Sequence, residues 1–203
     1  YIIIPSYNEK NNIERLIPLI FNLYPQINVA VADDNSPDGT ADTVKKMIAS
    51  YPNLNIYHRP KKLGLAGAYT QTMQKILNSE NNARAIITMD ADLSHDPAVI
   101  KTMLEELENH DLVIGSRYIP EGAIQNWSFY RRLLSRAGNI YARNILGMPI
   151  RDLTTGFQCF RAELLRKYDL TAIHSTGYAF LIEMKAIALM LGAKIKETPI
   201  TFA

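Results

Sequence analysis

No apolar run in this chain reaches the ~18 residues that a membrane span needs. The best stretch, 178–192, is broken by Glu183 and Lys185 and reads as an amphipathic helix. Cysteine is almost absent: Cys159 has no partner for an internal disulfide, which excludes a disulfide framework and points to a reducing compartment. Between Gln158 and Phe160 it reads as a packing residue and not as a nucleophile. Charge of one sign is lacking too. With 22 basic and 20 acidic residues, a nucleic-acid binder driven by bulk charge is disfavoured. There is no G-x-G-x-x-G after the first strand and no G-x-x-x-x-G-K-[ST], which disfavours a dinucleotide-binding Rossmann domain and a P-loop NTPase. Internal repeats, low-complexity tracts and a signal peptide are missing. The chain starts inside one apolar strand and stops inside another, so both ends read as trimmed, with room for a membrane-anchoring segment or partner outside.

What is present is enough apolar residue, 47% of 203, for one well-packed α/β domain. Short Ile- and Val-rich strands over 2–4, 27–32, 54–58, 85–89 and 111–115 alternate with helical patterns over about 12–24, 40–50, 68–78 and 97–109, the stretch 59–67 reading as a loop. Asn11 or Asn12 is the expected cap of the first helix and Thr40 of the second. This alternation predicts an α/β fold with a mainly parallel, doubly wound sheet flanked by helices. The strands end in polar groups: Tyr7 and Glu9, Asp33 and Asp34, Arg59, Asp90 and Asp92, Ser116 and Arg117. In such a sheet they gather at the edge where ligands bind.

Ile86-Ile87-Thr88-Met89-Asp90-Ala91-Asp92 organises the rest. Residues at i and i+2 share one side of an extended chain, so Asp90 and Asp92 can converge on one hard divalent cation, for which Mg²⁺ or Mn²⁺ is suited. The alternative is an acidic turn whose carboxylates only cap backbone amides. Asp96-Pro97 predicts a helix start, with Asp96 as cap and Pro97 at the first helical position.

After Arg117 the alternation lapses. A helix over 128–146 carries an apolar stripe (Phe129, Leu133, Ala137, Ile140, Ile145) and a second face with Arg132, Arg136 and Arg143. Such a face grips phosphate, lies on an anionic membrane, or is simply solvated. Residues 152–157 form a polar turn, 161–168 a short helix, 178–191 a helix and 194–202 a final strand.

These residues resemble glycosyltransferase family 2, and within it the polyprenol-phosphate (dolichyl-phosphate) mannosyltransferases. The matching stretches are Pro5-Ser6-Tyr7-Asn8-Glu9, Asp33 to Thr40, Lys62-Leu63-Gly64-Leu65-Ala66-Gly67-Ala68, Met89 to Pro97, Gly115-Ser116-Arg117-Tyr118, Asn126-Trp127, Ser135-Arg136 with Gly138-Asn139, and Asp152 to Phe157. The resemblance implies a single GT-A nucleotide-sugar-binding domain, with 1–117 as the nucleotide-binding part and 118–203 as the acceptor-binding part. It implies that Pro5, Tyr7, Glu9, Val31 and Asp33 line the nucleoside pocket beside Asp90, Ala91 and Asp92. Asp90 and Asp92 hold Mg²⁺ or Mn²⁺, with Ser94 as a water-bridged third ligand where some relatives have glutamine. Arg117 and Arg131, with Ser135 and Arg136, steer the acceptor phosphate; Asp152 shapes the sugar pocket. The implied reaction moves mannose from GDP-mannose to a polyprenyl or dolichyl phosphate with inversion, so Asp92, Arg117 and Arg131 are the catalytic candidates. The implied location is the cytoplasmic face of a membrane: the endoplasmic reticulum in a eukaryote, the plasma membrane in a prokaryote. Nucleic acid is not an expected partner. A UDP-glucose enzyme on the same fold and a non-catalytic nucleotide-sugar-binding module are the competing readings.

Overall fold

The structure, a computed structural model, describes residues 1–60 and 64–203. The Lys62-Leu63 part of the third matching stretch lies outside the described residues. In chain order the first part runs β1 (Ile2–Ser6), α1 (Lys10–Leu23), β2 (Val29–Asp33), α2 (Thr40–Ile48), β3 (Leu54–His58), α3 (Gly64–Ser79), β4 (Ala85–Thr88), α4 (Val99–Glu106) and β5 (Leu112–Ser116). The second part runs β6 (Ala123–Ile124), α5 (Phe129–Leu146), β7 (Gln158–Arg161), α6 (Ala162–Leu165), α7 (Gly177–Met190), β8 (Ile195–Pro199) and β9 (Thr201–Phe202).

Buried strands explain the Ile- and Val-rich runs. Alternate residues point to opposite faces of the sheet. Ile3, Ala30, Ile86, Leu112 and Ile114 pack in one cluster with Tyr69, Met73 and Phe180 of α3 and α7. Ile2, Ile4, Val29, Val31 and Val113 pack in another with Ile13, Leu16, Val44 and Met103 of α1, α2 and α4. The result is the expected α/β domain, with helices on both faces of one sheet.

The sheet order is β3-β2-β1-β4-β7-β5-β8, so the direction of winding reverses between β1 and β4. The crevice beyond the carboxyl ends of those two strands is the topological switch point, where open α/β sheets bind ligands. All pairings are parallel except those of β7, which runs antiparallel between β4 and β5. Sequence reading places no strand at 158–161, because four residues carry too little periodicity to be told from a turn. The reversal has a consequence for the site: β7 enters the sheet at the edge where β4 and β5 leave it, so the preceding loop, 152–157, joins the functional edge.

Three local expectations are corrected. Asp96 does not cap α4; its Oδ1 accepts the Ala98 N–H at 2.9 Å, an Asx turn that delays the helix to Val99. Asn11 and Asn12 lie inside α1, which starts at Lys10. Thr40 is the first residue of α2, after a left-handed Gly39 cap, and its amide and hydroxyl both donate to Asp38 Oδ1. The final strand is also split, β8 pairing with β5 and β9 with β6.

The helix over 128–146 is where expected, with Ser128 Oγ accepting the Arg131 N–H as N-cap. Its apolar stripe, however, is not core. Of the whole helix only Asn139 is buried, while Phe129, Tyr130, Leu134, Tyr141 and Ile145 are each more than 60% exposed.

Candidate active site

Three adjoining cavities follow the functional edge. The first, about 330 Å³, lies at the switch point and is lined by Pro5 and Ser6 at the end of β1, Tyr7 and Glu9 beyond it, Asp34 beyond β2, and Asp90, Ala91 and Asp92 beyond β4. The second, about 270 Å³, shares Leu65, Asp90 and Asp92 with the first and adds Arg117, Trp127, Arg131, Thr154 and Gly156. The third, about 240 Å³, shares Arg117, Trp127, Arg131 and Thr154 with the second and reaches Leu134 and Ser135 on α5. A path therefore leads from the aspartate pair to the arginine pair without leaving the edge.

The acidic end is built by a strained turn. Leu93 takes a left-handed backbone, φ 64°, which L side chains rarely adopt outside functional turns. The chain then folds back, and the Ser94 amide and hydroxyl both donate to Asp92 Oδ1, at 3.0 and 2.5 Å. Ser94 is buried and does not line the cavities, so its observed partner is the Asp92 carboxylate. Asp90 faces the Tyr69 hydroxyl at 3.4 Å. Burial, reinforced by the Asp92 charge, raises the Asp90 pKa from its ordinary value, the condition of a carboxylate that gains from a nearby cation. Gly156 leaves the room this needs: a Cβ there would sit 3.3 Å from Asp90 Oδ1.

Among the described residues no group of three His, Cys, Asp or Glu side chains forms a metal cage. Two carboxylates on one cavity still fit Mg²⁺ or Mn²⁺, because such ions commonly use one or two carboxylates and take the remaining oxygens from water and substrate phosphates.

His95 belongs to this end and was given no role from sequence. Fully buried, it stacks on Phe157 with ring centroids 4.8 Å apart, and its Nδ1 accepts the Asp90 N–H at 3.2 Å. That bond assigns the proton to Nε2, which lies 3.9 Å from Asp90 Oδ2. Burial lowers its pKa, so the ring is neutral at pH 7. Its place five residues after Asp90, inside the organising stretch, was the available signal.

The basic end is equally constructed. The fully buried Asp152 accepts the Arg117 backbone N–H at 3.0 Å, Nε–H at 2.7 Å and Nη2–H at 2.7 Å, and Thr154 Oγ1 takes the other Nη2–H at 2.9 Å. This fork raises the Arg117 pKa further and leaves Nη1 as the edge without a hydrogen-bond partner among the described residues. Trp127 and Phe202 rings lie 5.8 and 5.3 Å from the guanidinium carbon. Arg131 stacks on Trp127 from the first turn of α5, 3.9 Å from the ring centroid. Ser135 Oγ accepts the Tyr118 hydroxyl at 2.7 Å. Asn139, part of a matching stretch but given no role there, ties α5 to the loop: it donates to Thr154 Oγ1 at 3.1 Å and accepts the Leu153 N–H at 2.8 Å.

The edge does not gather every expected residue. Val31 lies in the core between sheet and helices. Asp33 is fully buried; its oxygens accept from the Ser6 and Ser36 hydroxyls and the Ser36 amide, and it is Asp34, paired with Arg59 at 2.5 Å, that lines the first cavity. Arg136 turns to a separate cavity with Arg143 and Arg151. Glu9 lines the first cavity while accepting from Asn12 Nδ2 at 2.6 Å. Cys159 is buried with its thiol pushed up to about 12, a packing residue as expected.

A mostly parallel sheet that presents paired aspartates at its switch point, with arginines one cavity further on, defines a nucleotide-sugar glycosyltransferase of the GT-A type. The comparisons agree: the family model described as glycosyl transferase family 2 matches residues 1–169, and the chain belongs to that family. It is 40% identical over 200 residues to the undecaprenyl-phosphate mannosyltransferase of Micrococcus luteus, covering 98% of this chain and 82% of that one. To the polyprenol monophosphomannose synthase of Mycolicibacterium smegmatis it is 37% identical over 203 residues, 99% of this chain and 76% of that one. Its fold also matches glucosyl-3-phosphoglycerate synthase from Mycobacterium tuberculosis, in a structure with Mn²⁺, uridine diphosphate and glucosyl-3-phosphoglycerate. The TM-score is 0.70 over 99% of this chain and 69% of that one, and at 18% identity the likeness is one of fold.

Proposed function

We propose that this protein transfers mannose from GDP-mannose to a polyprenyl or dolichyl phosphate, inverting the anomeric centre to give a β-mannosyl phosphate. The observation that carries the reading is the shared lining of the three cavities, which sets the aspartate pair and the arginine pair on one path. In this reading residues 1–117 hold the donor, with Pro5, Tyr7 and Glu9 beside the nucleoside, and 118–203 hold the acceptor. Asp90 and Asp92 would hold Mg²⁺ or Mn²⁺, which as a Lewis acid offsets the charge growing on the departing nucleoside diphosphate. Ser94 and His95 keep the two carboxylates aimed at the cavity.

Arg117 and Arg131 draw the lipid phosphate toward the sugar. That phosphate is an anionic nucleophile at neutral pH, so its oxygen attacks the anomeric carbon without a general base, in keeping with a neutral, buried His95. The sugar–oxygen bond to the diphosphate breaks as the new bond forms, and no proton needs to move.

Among the described residues no helix is long and apolar enough to cross a membrane. The exposed apolar side chains of α5, with Tyr178 at the start of α7, fit instead a surface that lies on the cytoplasmic face of a membrane and meets the lipid there. Purified protein given GDP-mannose, Mn²⁺ and a short polyprenyl phosphate should form mannosyl lipid, and Asp92→Ala should abolish most of it. Undiminished turnover in that variant sinks the metal assignment. Stronger competition by UDP than by GDP would mark a different donor, and tight GDP binding without turnover would mark a binding module.

A further inference from the structure

Lys185, in the second half of α7, has none of its surface exposed. Its Nζ donates to the carbonyls of Leu153 at 3.0 Å, Thr155 at 3.0 Å and, one turn back on its own helix, Leu181 at 3.2 Å. In its charged form the amine has three N–H bonds, one for each of these carbonyls. The charges acting on it are Asp152, Arg117 and Glu197, yet every hydrogen bond goes to a carbonyl. Burying a lysine without an ion-pair partner is unfavourable, and an apolar side chain of the same length would fill the space without that penalty.

What an apolar side chain would not do is hold the loop. Lys185 grips the carbonyls on either side of Thr154, while the Thr154 hydroxyl meets Arg117 and Asn139. The same loop carries Asp152, which forks Arg117, and Gly156, which packs against Asp90. A single buried lysine on α7 thus fixes the segment on which both ends of the catalytic path lean.

We propose that Lys185 is a positioning residue: by pinning the carbonyls of Leu153 and Thr155 it sets Asp152 and Thr154, and through them the direction in which Arg117 presents Nη1 to the acceptor phosphate. This rests on the reading of Arg117 as the acceptor's anchor. It deepens that reading, because the residue touches neither substrate.

Lys185→Met keeps the length and removes the donors; Lys185→Gln is shorter and keeps an amide donor. In the folded fraction of each, GDP affinity measured calorimetrically with Mn²⁺ should stay within about twofold of wild type. Acceptor kcat/KM with a short polyprenyl phosphate should fall by roughly 10- to 100-fold in Lys185→Met, with partial recovery in Lys185→Gln. Adding Lys185→Met to Arg117→Gln should lower it little further, because both changes act through one guanidinium. Should Lys185→Met not fold, Lys185→Gln carries the same comparison. Donor and acceptor constants that fall together, or a full additive loss in the double variant, would overturn the proposal in favour of a merely structural lysine. If Arg117→Gln itself leaves the acceptor constants unchanged, the anchor assignment fails, and this inference with it.

Discussion

Replacing Asp152 by asparagine tests whether the basic end is built as described. The carboxylate is fully buried and receives three N–H bonds from Arg117, whose own side chain is 5% exposed. Asparagine is nearly isosteric, but it removes the charge and turns an NH₂ toward N–H groups that need an acceptor. Removing one partner of a buried pair costs about 3–5 kcal/mol, and since asparagine keeps one accepting oxygen the lower end applies, about 3 kcal/mol. At about 2–4 °C per kcal/mol for a chain of this size, the melting temperature should drop by about 6–12 °C. Released from its fork, the guanidinium should also misplace the acceptor, lowering acceptor kcat/KM by up to about 100-fold. Circular-dichroism melting, acceptor kinetics and GDP titration with Mn²⁺ separate these effects, the last being expected to change little. A melting shift below about 2 °C together with an unchanged acceptor KM would refute the claim that Asp152 holds Arg117 in place.

Gly156→Ala puts a methyl group 3.3 Å from Asp90 Oδ1, so the carboxylate must give way by a few tenths of an ångström. Near-native melting with a several-fold higher Mn²⁺ requirement is expected, and an unchanged metal titration would count against crowding at Asp90. Burial pushes the Lys185 pKa down to about 7, against an ordinary lysine value of 10.5. Between those values the unfolded chain binds the proton that the folded one releases, so stability should rise with pH over about 7 to 10. Relative to Lys185→Met, wild type should gain up to about 1.4 kcal/mol per pH unit across that window in urea titrations, and a flat difference would exclude it. The Cys159 thiol, buried and pushed up to about 12, should stay unreactive toward a thiol reagent at pH 8 until the protein unfolds; rapid labelling of the native protein would show that β7 opens.

The amino-acid sequence determined the alternating strands and helices, the polar strand ends, the aspartate pair and both arginines, because each is written in short-range pattern: apolar runs of strand length, helical spacing and charged residues where a run stops. Their joint order along the chain also carried the family. Tertiary structure decided the rest. A four-residue β7 acquires its direction only from the strands beside it, and that direction brings Asp152 to Gly156 to the functional edge. The apolar stripe of α5 has core spacing yet faces outward, since periodicity says which residues share a face and not what covers it. Asp33 and Asp34 are adjacent and chemically alike; only the hydroxyls folded around Asp33 leave Asp34 to line the cleft. Lys185 is a polar residue in an apolar helical run and His95 sits between Ser94 and Asp96; the loop that holds their distant partners, Leu153, Thr155 and Phe157, meets them only when the sheet and its helices close.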